Sequence, residues 1–439
     1  MRFVHQIGAS RHFAVLLDGA TMDGMATALD LTPTGSIARV GRRTARYRRI
    51  LLVLAAGGLA NFAVVYFPQP LLPQLATAFS VEPAATGLAL SVATGAMLLG
   101  LIVAAPLSDR IGRVPAMGGS LVVAGLFCAL GAAAPTWEAF LALRAGAGFT
   151  LAVLPAVALA YLRDVVHDDA QLEANSIYIS GTALGGALGR LAPLPLAALG
   201  GWQLVMVVLG ALSVAVGVIV WTMLPHDAAE HRTLRVGDVL GGALSSLRDP
   251  VILALCVVGG LNMALFVGLY NAVPFRLDAP PFSLGAAEVL VYLAYPIGIA
   301  APGVFRRIAA RRGRGAATLV GACALLFATA VLWMPSVVAV FVGLGILTFA
   351  FLGAHSILSG WVVERAHAVG RSTARASSAY LLVYYLGSTL SGTASTHVWQ
   401  SGGWDAVIAL AAAIGVCGLV LAIVVRRRTA RTGGSTRRR

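Results

Sequence analysis

Residues 316–361 run for 46 positions without one formally charged side chain. As a single helix that run would be roughly 69 Å long at 1.5 Å per residue, about twice the thickness of a bilayer core. It must therefore fold back on itself, and Pro335 with Ser336 is the natural turn. The same length argument applied along the chain gives twelve spans: 50–72, 84–107, 115–134, 138–161, 173–196, 202–224, 250–273, 284–305, 316–334, 337–361, 376–397 and 404–425. Only 11% of the 439 residues are charged and 58% are hydrophobic, whereas a water-facing domain carries about 25% charged residues. The expected fold is an all-α membrane protein.

Composition excludes several function classes. The formal net charge is +14 and every basic residue is arginine, a bias read as codon usage. Without lysine there is no phosphate-loop lysine, which argues against a nucleotide-driven pump in this chain. The arginines sit in short loops and tails rather than in a stripe with interleaved aromatics, so nucleic acid is not an expected partner. Cys128, Cys256, Cys323 and Cys417 each lie in an apolar run, with no paired spacing that would hold a metal. No cofactor is expected. A membrane-embedded enzyme would need His, Asp or Cys clustered at one depth, and a channel would need a filter segment; neither pattern is present.

Arginine placement sets the expected orientation. Arg39, Arg42, Arg43, Arg46, Arg48 and Arg49 precede the first span. Arg110 and Arg113 follow the second, Arg306, Arg307, Arg311, Arg312 and Arg314 the eighth, and Arg426, Arg427 and Arg428 the last. The alternate loops hold Arg276 and little else. Both termini are thus expected in the cytoplasm. The domain reading is a flexible tail over 1–46, a six-helix bundle over 47–224, a cytoplasmic linker over 225–249, a second six-helix bundle over 250–426 and a basic tail over 427–439. Met22 and Met25 are alternative starts.

The two bundles repeat. "DRIGR" at 109–113 matches "ARRGR" at 310–314, and "ANSIYISGTALGG" at 174–186 matches "ASSAYLLVYYLGS" at 376–388, at offsets of 201 and 202. Duplicated halves are what alternating access around a midplane site requires.

The Asp-Arg-x-Gly-Arg run after the second span resembles the signature of the major facilitator superfamily, with Ala105 where the pattern has its first Gly. "YFPQPLLPQLATAF", "SGTALGGALGR" and "ASSAYLLVYYLGS" are similar to the acriflavine-sensitivity, drug-exporter-like branch, over about residues 48–425. The resemblance implies a twelve-helix secondary transporter of the bacterial inner membrane, exporting a small organic compound against protons, with a monomer as the expected state. Import of a sugar or organic acid is the alternative.

The resemblance also implies site roles. Asp109, Arg110, Gly112 and Arg113, with Asp164 as the partner of Arg113, would form a cytoplasmic latch against the start of helix 11, whose positive end would hold Asp109. Arg144 corresponds to the fourth-helix arginine of proton coupling, though Ala147 replaces the usual Gln; the bland alternative is an arginine snorkelling to the interface. Gly181, Gly185, Gly186 and Gly189 form a degenerate glycine motif for close helix approach. Candidates for the substrate pocket are Tyr66, Gln69, Tyr178, Asn262, Tyr270, Asn271, Tyr380 and Tyr384. His355 could titrate near neutral pH or pack as a neutral ring. Arg190 and Glu288 are intramembrane charges at similar depth, expected to pair across the two halves.

Overall fold

The structure, a computed structural model, describes residues 39–42, 44–226 and 235–436. Its architecture is a bundle of helices: α1 (Ala45–Phe79), α2 (Pro83–Ile111), α3 (Arg113–Gly131), α4 (Trp137–Val165), α5 (Gln171–Leu191), α6 (202–223), α7 (Pro250–Asp278), α8 (Val289–Arg312), α9 (Arg314–Trp333), α10 (Val337–Ala368), α11 (373–402) and α12 (404–436). An α-helix satisfies its own backbone polar groups, which lipid cannot do. The outward surface is correspondingly oily, with Leu52, Leu199, Val338, Phe327 and Leu390 all exposed. An even number of crossings returns both termini to one face. That face is called terminal below, and the opposite one distal.

Two pairs of helices end at glycines that only a residue without Cβ adopts comfortably. Gly112 (φ 90°) and Gly313 (φ 82°) turn α2 into α3 and α8 into α9. Gly201 (φ 71°) and Gly403 (φ 63°) break what would otherwise be continuous helices before α6 and α12. Each of the last two lies in a Gly-Gly-Trp run, 200–202 and 402–404, so the repeat extends to these turns. The tryptophans anchor them: Trp202 packs on Phe79 and Phe140, and Trp404 donates from Nε1 to the Leu332 carbonyl at 2.9 Å.

Within each half the corresponding pair of helices, α1 with α5 and α7 with α11, meets at glycines. Gly181, Gly185 and Gly189 lie against Ala55, Leu59 and Ala63 of α1, one contact per turn on both helices. A Cβ on Gly185 would stand 2.8 Å from the Leu59 Cα. In the second half Gly387 meets Gly260 of α7 in the same way. Between halves, α2 packs on α11 and α5 packs on α8.

The structure departs from expectation at two places. Residues 39–42 are docked rather than part of a free tail: Val40 pairs with the α4–α5 connection, its N–H donating to Val165 at 2.8 Å, while Arg39 and Arg42 reach Asp168 and Glu173. Extended backbone finds partners there because α4 ends in an extended residue, Val166. The linker is not only loop; Val236–Ser246 is a helix that packs on α11 and touches α2. Residues 1–38, including Met22 and Met25, lie outside the described residues, as do Arg43 and 437–439.

Candidate functional site

The latch residues sit where α2 turns into α3. Asp109 is half-buried and Arg110 exposed in the last turn of α2; Gly112 makes the turn. Arg113 forms an ion pair with Asp164 and donates to the Ala160 carbonyl at 3.2 Å, so these two residues are together as the sequence reading required. The repeat has its own copy: Arg314 pairs with Glu364. A third pair, Arg365 with Asp249 at 2.9 Å, ties the end of α10 to the start of α7. The start of α11 is occupied by the linker helix: Arg371 donates to the Ser245 carbonyl at 2.6 Å, and Gly242 lies under the Arg375 side chain.

Arg144 is fully buried, and its bonds are all to backbone. Nε donates to Ala89 at 3.1 Å, Nη1 to Val64 at 2.8 Å and Nη2 to Val65 at 2.9 Å, with the Phe67 ring 5.0 Å away. The reason lies in α1. The carbonyl of Val64 would take its helical bond from residue 68, which is Pro68 and has no N–H. Arg144 supplies the missing donor and pins the kink at the distal end of α1 to α2. It does not snorkel.

Arg190 and Glu288 do not form the expected pair. Glu288 accepts from the Tyr292 hydroxyl one turn along, at 2.6 Å. Arg190 has no exposure and sits among aromatic rings: Tyr66 at 4.3 Å, Tyr270 at 4.5 Å, Tyr295 at 4.7 Å and Phe266 at 5.5 Å from the guanidinium carbon. Its Nη1 donates to the Gly186 carbonyl at 2.7 Å, while Nε and Nη2 have no hydrogen-bond partner. The contacts run from Arg190 through the stacked rings Tyr270 and Tyr292 to Glu288. The aromatic faces supply the negative potential that the carboxylate was expected to give.

Seven of the eight pocket candidates fall into three groups. Tyr66 and Tyr270 are in the Arg190 cage, and the Tyr270 hydroxyl bonds Thr348 at 2.7 Å. Gln69 and Asn271 join the two halves directly, with Gln69 Nε2 donating to Asn271 Oδ1 at 2.7 Å. Tyr178, Tyr380 and Tyr384 lie nearer the terminal face; Tyr380 bonds His355 Nδ1 at 2.9 Å and Tyr384 packs on the same imidazole at a tilt, ring centroids 4.8 Å apart. Asn262 is misplaced in the expectation: its side chain faces α12 at Gly418, within its own half. Helices that are apolar all round do not mark which face a lone Asn takes.

Sequence reasoning missed Tyr295 and Phe266 in the cage and Tyr385 beside Tyr384. Tyr295 opens a 3-10 stretch, Tyr295–Ala300, where Pro296 and the small Gly298 loosen α8. Gly186 leaves room for it: a Cβ there would meet the Tyr295 hydroxyl. One signal was available, since Gln69 and Asn271 stand 202 apart, the offset of the repeat.

A set of hydrogen bonds between the halves lies toward the distal face. Thr94 bonds Thr389 at 3.1 Å, Thr393 donates to Ser91 at 2.9 Å, Thr396 donates to the Ala84 carbonyl at 2.9 Å, and Gln400 bridges Glu82 and the Ala84 N–H at 2.8 and 2.9 Å. Gly87 lets α2 come against Gly392 of α11 without a side chain between.

Comparison with known proteins places this arrangement. The model of the Major Facilitator Superfamily matches residues 54–392. The inner membrane transport protein YnfM of Escherichia coli (strain K12) is 33% identical over 391 residues, covering 89% of this chain and 93% of YnfM. The MFS-type transporter YybF of Bacillus subtilis (strain 168) is 32% identical over 374 residues, 84% of this chain and 92% of YybF. Among solved structures, a bacterial homologue of the human lysosomal transporter Spinster, in an inward-facing and occupied conformation, superposes with a TM-score of 0.69 at 16% identity, covering 88% and 98% of the two chains.

Proposed function

The chain belongs to the major facilitator superfamily and is a multi-pass membrane transporter rather than an enzyme, and from that premise we propose that it exports a small organic compound across the inner membrane in exchange for protons. The observation that carries the alternating-access part is the seal between the halves. Small hydroxyl and amide side chains on α1, α2, α7 and α11 close the distal end, from Gln69–Asn271 to Glu82–Gln400. Such bonds are single and modest, about 0.5–1.5 kcal/mol each, so they can be exchanged for water when the halves rock. With the termini in the cytoplasm, as the arginine asymmetry favours, the structure is closed to the outside. The latch of Asp109, Arg110, Gly112, Arg113 and Asp164 lies at the opposite end. In this reading it engages when the distal seal opens. Export is favoured by the likeness of "SGTALGGALGR" and "ASSAYLLVYYLGS" to the drug-exporter-like branch.

The test uses membrane vesicles and a compound found by its stabilisation of the purified protein. Everted vesicles with an acidified lumen should accumulate that compound, and an uncoupler should abolish the accumulation. Uptake by right-side-out vesicles with acid outside would instead make the protein an importer of a sugar or organic acid. Accumulation in either sense that ignores the proton gradient would remove the coupling.

A further inference from the structure

We infer that Arg190 is the recognition point for a small aromatic monocarboxylate, a substrate class that rests on the transport reading above and narrows it. Three features of the site lead there. The first is which donors are left over. Nη1 is used by the Gly186 carbonyl and the Tyr295 hydroxyl lies within reach of the guanidinium, whereas Nε and Nη2 make no well-aligned hydrogen bond and have no solvent. These two nitrogens share one edge of the guanidinium, and their N–H bonds point the same way. That edge is the one a carboxylate takes with two parallel hydrogen bonds.

The second feature is charge. Arg190 is a cation between the halves, and the acid at similar depth, Glu288, is engaged by Tyr292 rather than by Arg190. Ring faces attract a cation but do not neutralise it. One monoanion balances the site. A phosphate dianion would leave an excess negative charge in an apolar place, and a cationic substrate would meet the arginine's own charge.

The third feature is shape. Tyr66, Tyr270, Tyr295 and Phe266 present flat faces around the guanidinium. The guanidinium covers those faces here, so an aryl ring beyond the carboxylate would stack on them as the cage opens, and it suits them better than a hydroxylated chain. Arg190 and Tyr66 come from the first half and the other three rings from the second. An occupant therefore touches both halves.

The experiment measures binding to the purified full-length protein in detergent, without any ion gradient, by thermal midpoint and by titration. The probes are benzoate, its neutral isostere benzamide, benzylamine and inorganic phosphate. Benzoate should raise the midpoint, and should bind on the order of 10- to 100-fold more tightly than benzamide, the range that loss of a charged hydrogen bond gives. Arg190→Gln should remove that preference, and Arg190→Lys should keep part of it. Should Arg190→Gln fail to fold, phenylglyoxal labelling of the unaltered protein read by mass spectrometry serves instead: benzoate should protect Arg190, and benzamide should not. The inference is overturned if benzoate binds no better than benzamide, if phosphate or benzylamine binds more tightly, or if Arg190→Gln binds benzoate as the parent does. Because no gradient is applied, a wrong direction or coupling ion leaves this result standing. Proton-linked export indifferent to Arg190 would sink the inference alone.

Discussion

Replacing Arg144 by lysine separates two roles for a buried arginine. Lysine keeps the positive charge, so a purely electrostatic part in coupling would survive. It cannot keep the geometry. Arg144 reaches three carbonyls on two helices, Val64 and Val65 on α1 and Ala89 on α2, from three different nitrogens. A single ammonium on a flexible stem reaches one or two of them. Each charge-assisted bond contributes about 1.5–3 kcal/mol, and the Val64 carbonyl, facing Pro68, has no helical donor to fall back on. Relief of packing and entry of water offset part of the loss. The expected destabilisation of Arg144→Lys is about 2–4 kcal/mol, concentrated at the α1–α2 kink. Unfolding by sodium dodecyl sulfate in mixed micelles, followed by helical circular dichroism, measures it. Arg144→Met should lose at least as much stability. If Arg144→Lys unfolds at the same detergent fraction as the parent while transport is lost, the pin is the wrong account and the residue acts through its chemistry alone.

Other perturbations test the remaining arguments. Gly185→Ala should destabilise by about 1–3 kcal/mol, since its Cβ would meet the Leu59 backbone; Gly186→Ala should leave stability closer to the parent but weaken the distal seal, read as faster cysteine labelling at Thr389→Cys, because there the obstacle is the end of the Tyr295 side chain. Burial pushes the Asp249 carboxyl up, but Arg365 and the N–H groups of Ile252 and Val251 outweigh it and hold the group below its ordinary value. A lowered folded value means that this contribution is complete above the unfolded carboxylate value of about 3.9 and is lost as pH falls through the folded one. Asp249→Asn should accordingly flatten stability against pH below about pH 4, and an unchanged acid limb would refute the assignment. For orientation, Ser283→Cys and Ser401→Cys should react with an impermeant thiol reagent on intact cells while Leu244→Cys should react only after permeabilisation; the reverse pattern would invert the topology. Asp109→Asn should reach the membrane at the parent's level yet transport poorly, and full transport would remove the latch.

Much of the architecture is legible because lipid imposes a length rule. Span count, the turn at Pro335 and Ser336, and the repeat all follow from helix rise and apolar runs. The charges that matter were also visible, since Arg144, Arg190 and Glu288 stand in stretches where a charge is costly. The resemblance implied the ion pair Arg113–Asp164, and Arg314–Glu364 stands at the equivalent place in the second half. What these charges touch was not visible. Arg144 found the Val64 carbonyl that Pro68, four residues on, leaves without a donor, a local cue that spans two helices only once α4 is packed on α1 and α2. Arg190 found rings where an acid at the right depth suggested a salt bridge.

The sequence by itself determined that this chain crosses a membrane twelve times in two related halves, and where the costly charges sit along each crossing. Depth is a one-dimensional quantity, and rise per residue converts position into it directly. Only the tertiary structure decided azimuth: that Gly181, Gly185 and Gly189 face α1 while Gly186 faces Tyr295, that Asn262 turns to α12, and that Tyr66, Tyr270, Tyr295 and Phe266 surround Arg190. A helix in water advertises its buried side by an apolar stripe. These helices are apolar toward lipid and toward each other, so no stripe marks the face, and packing between the halves alone sets which side chains meet.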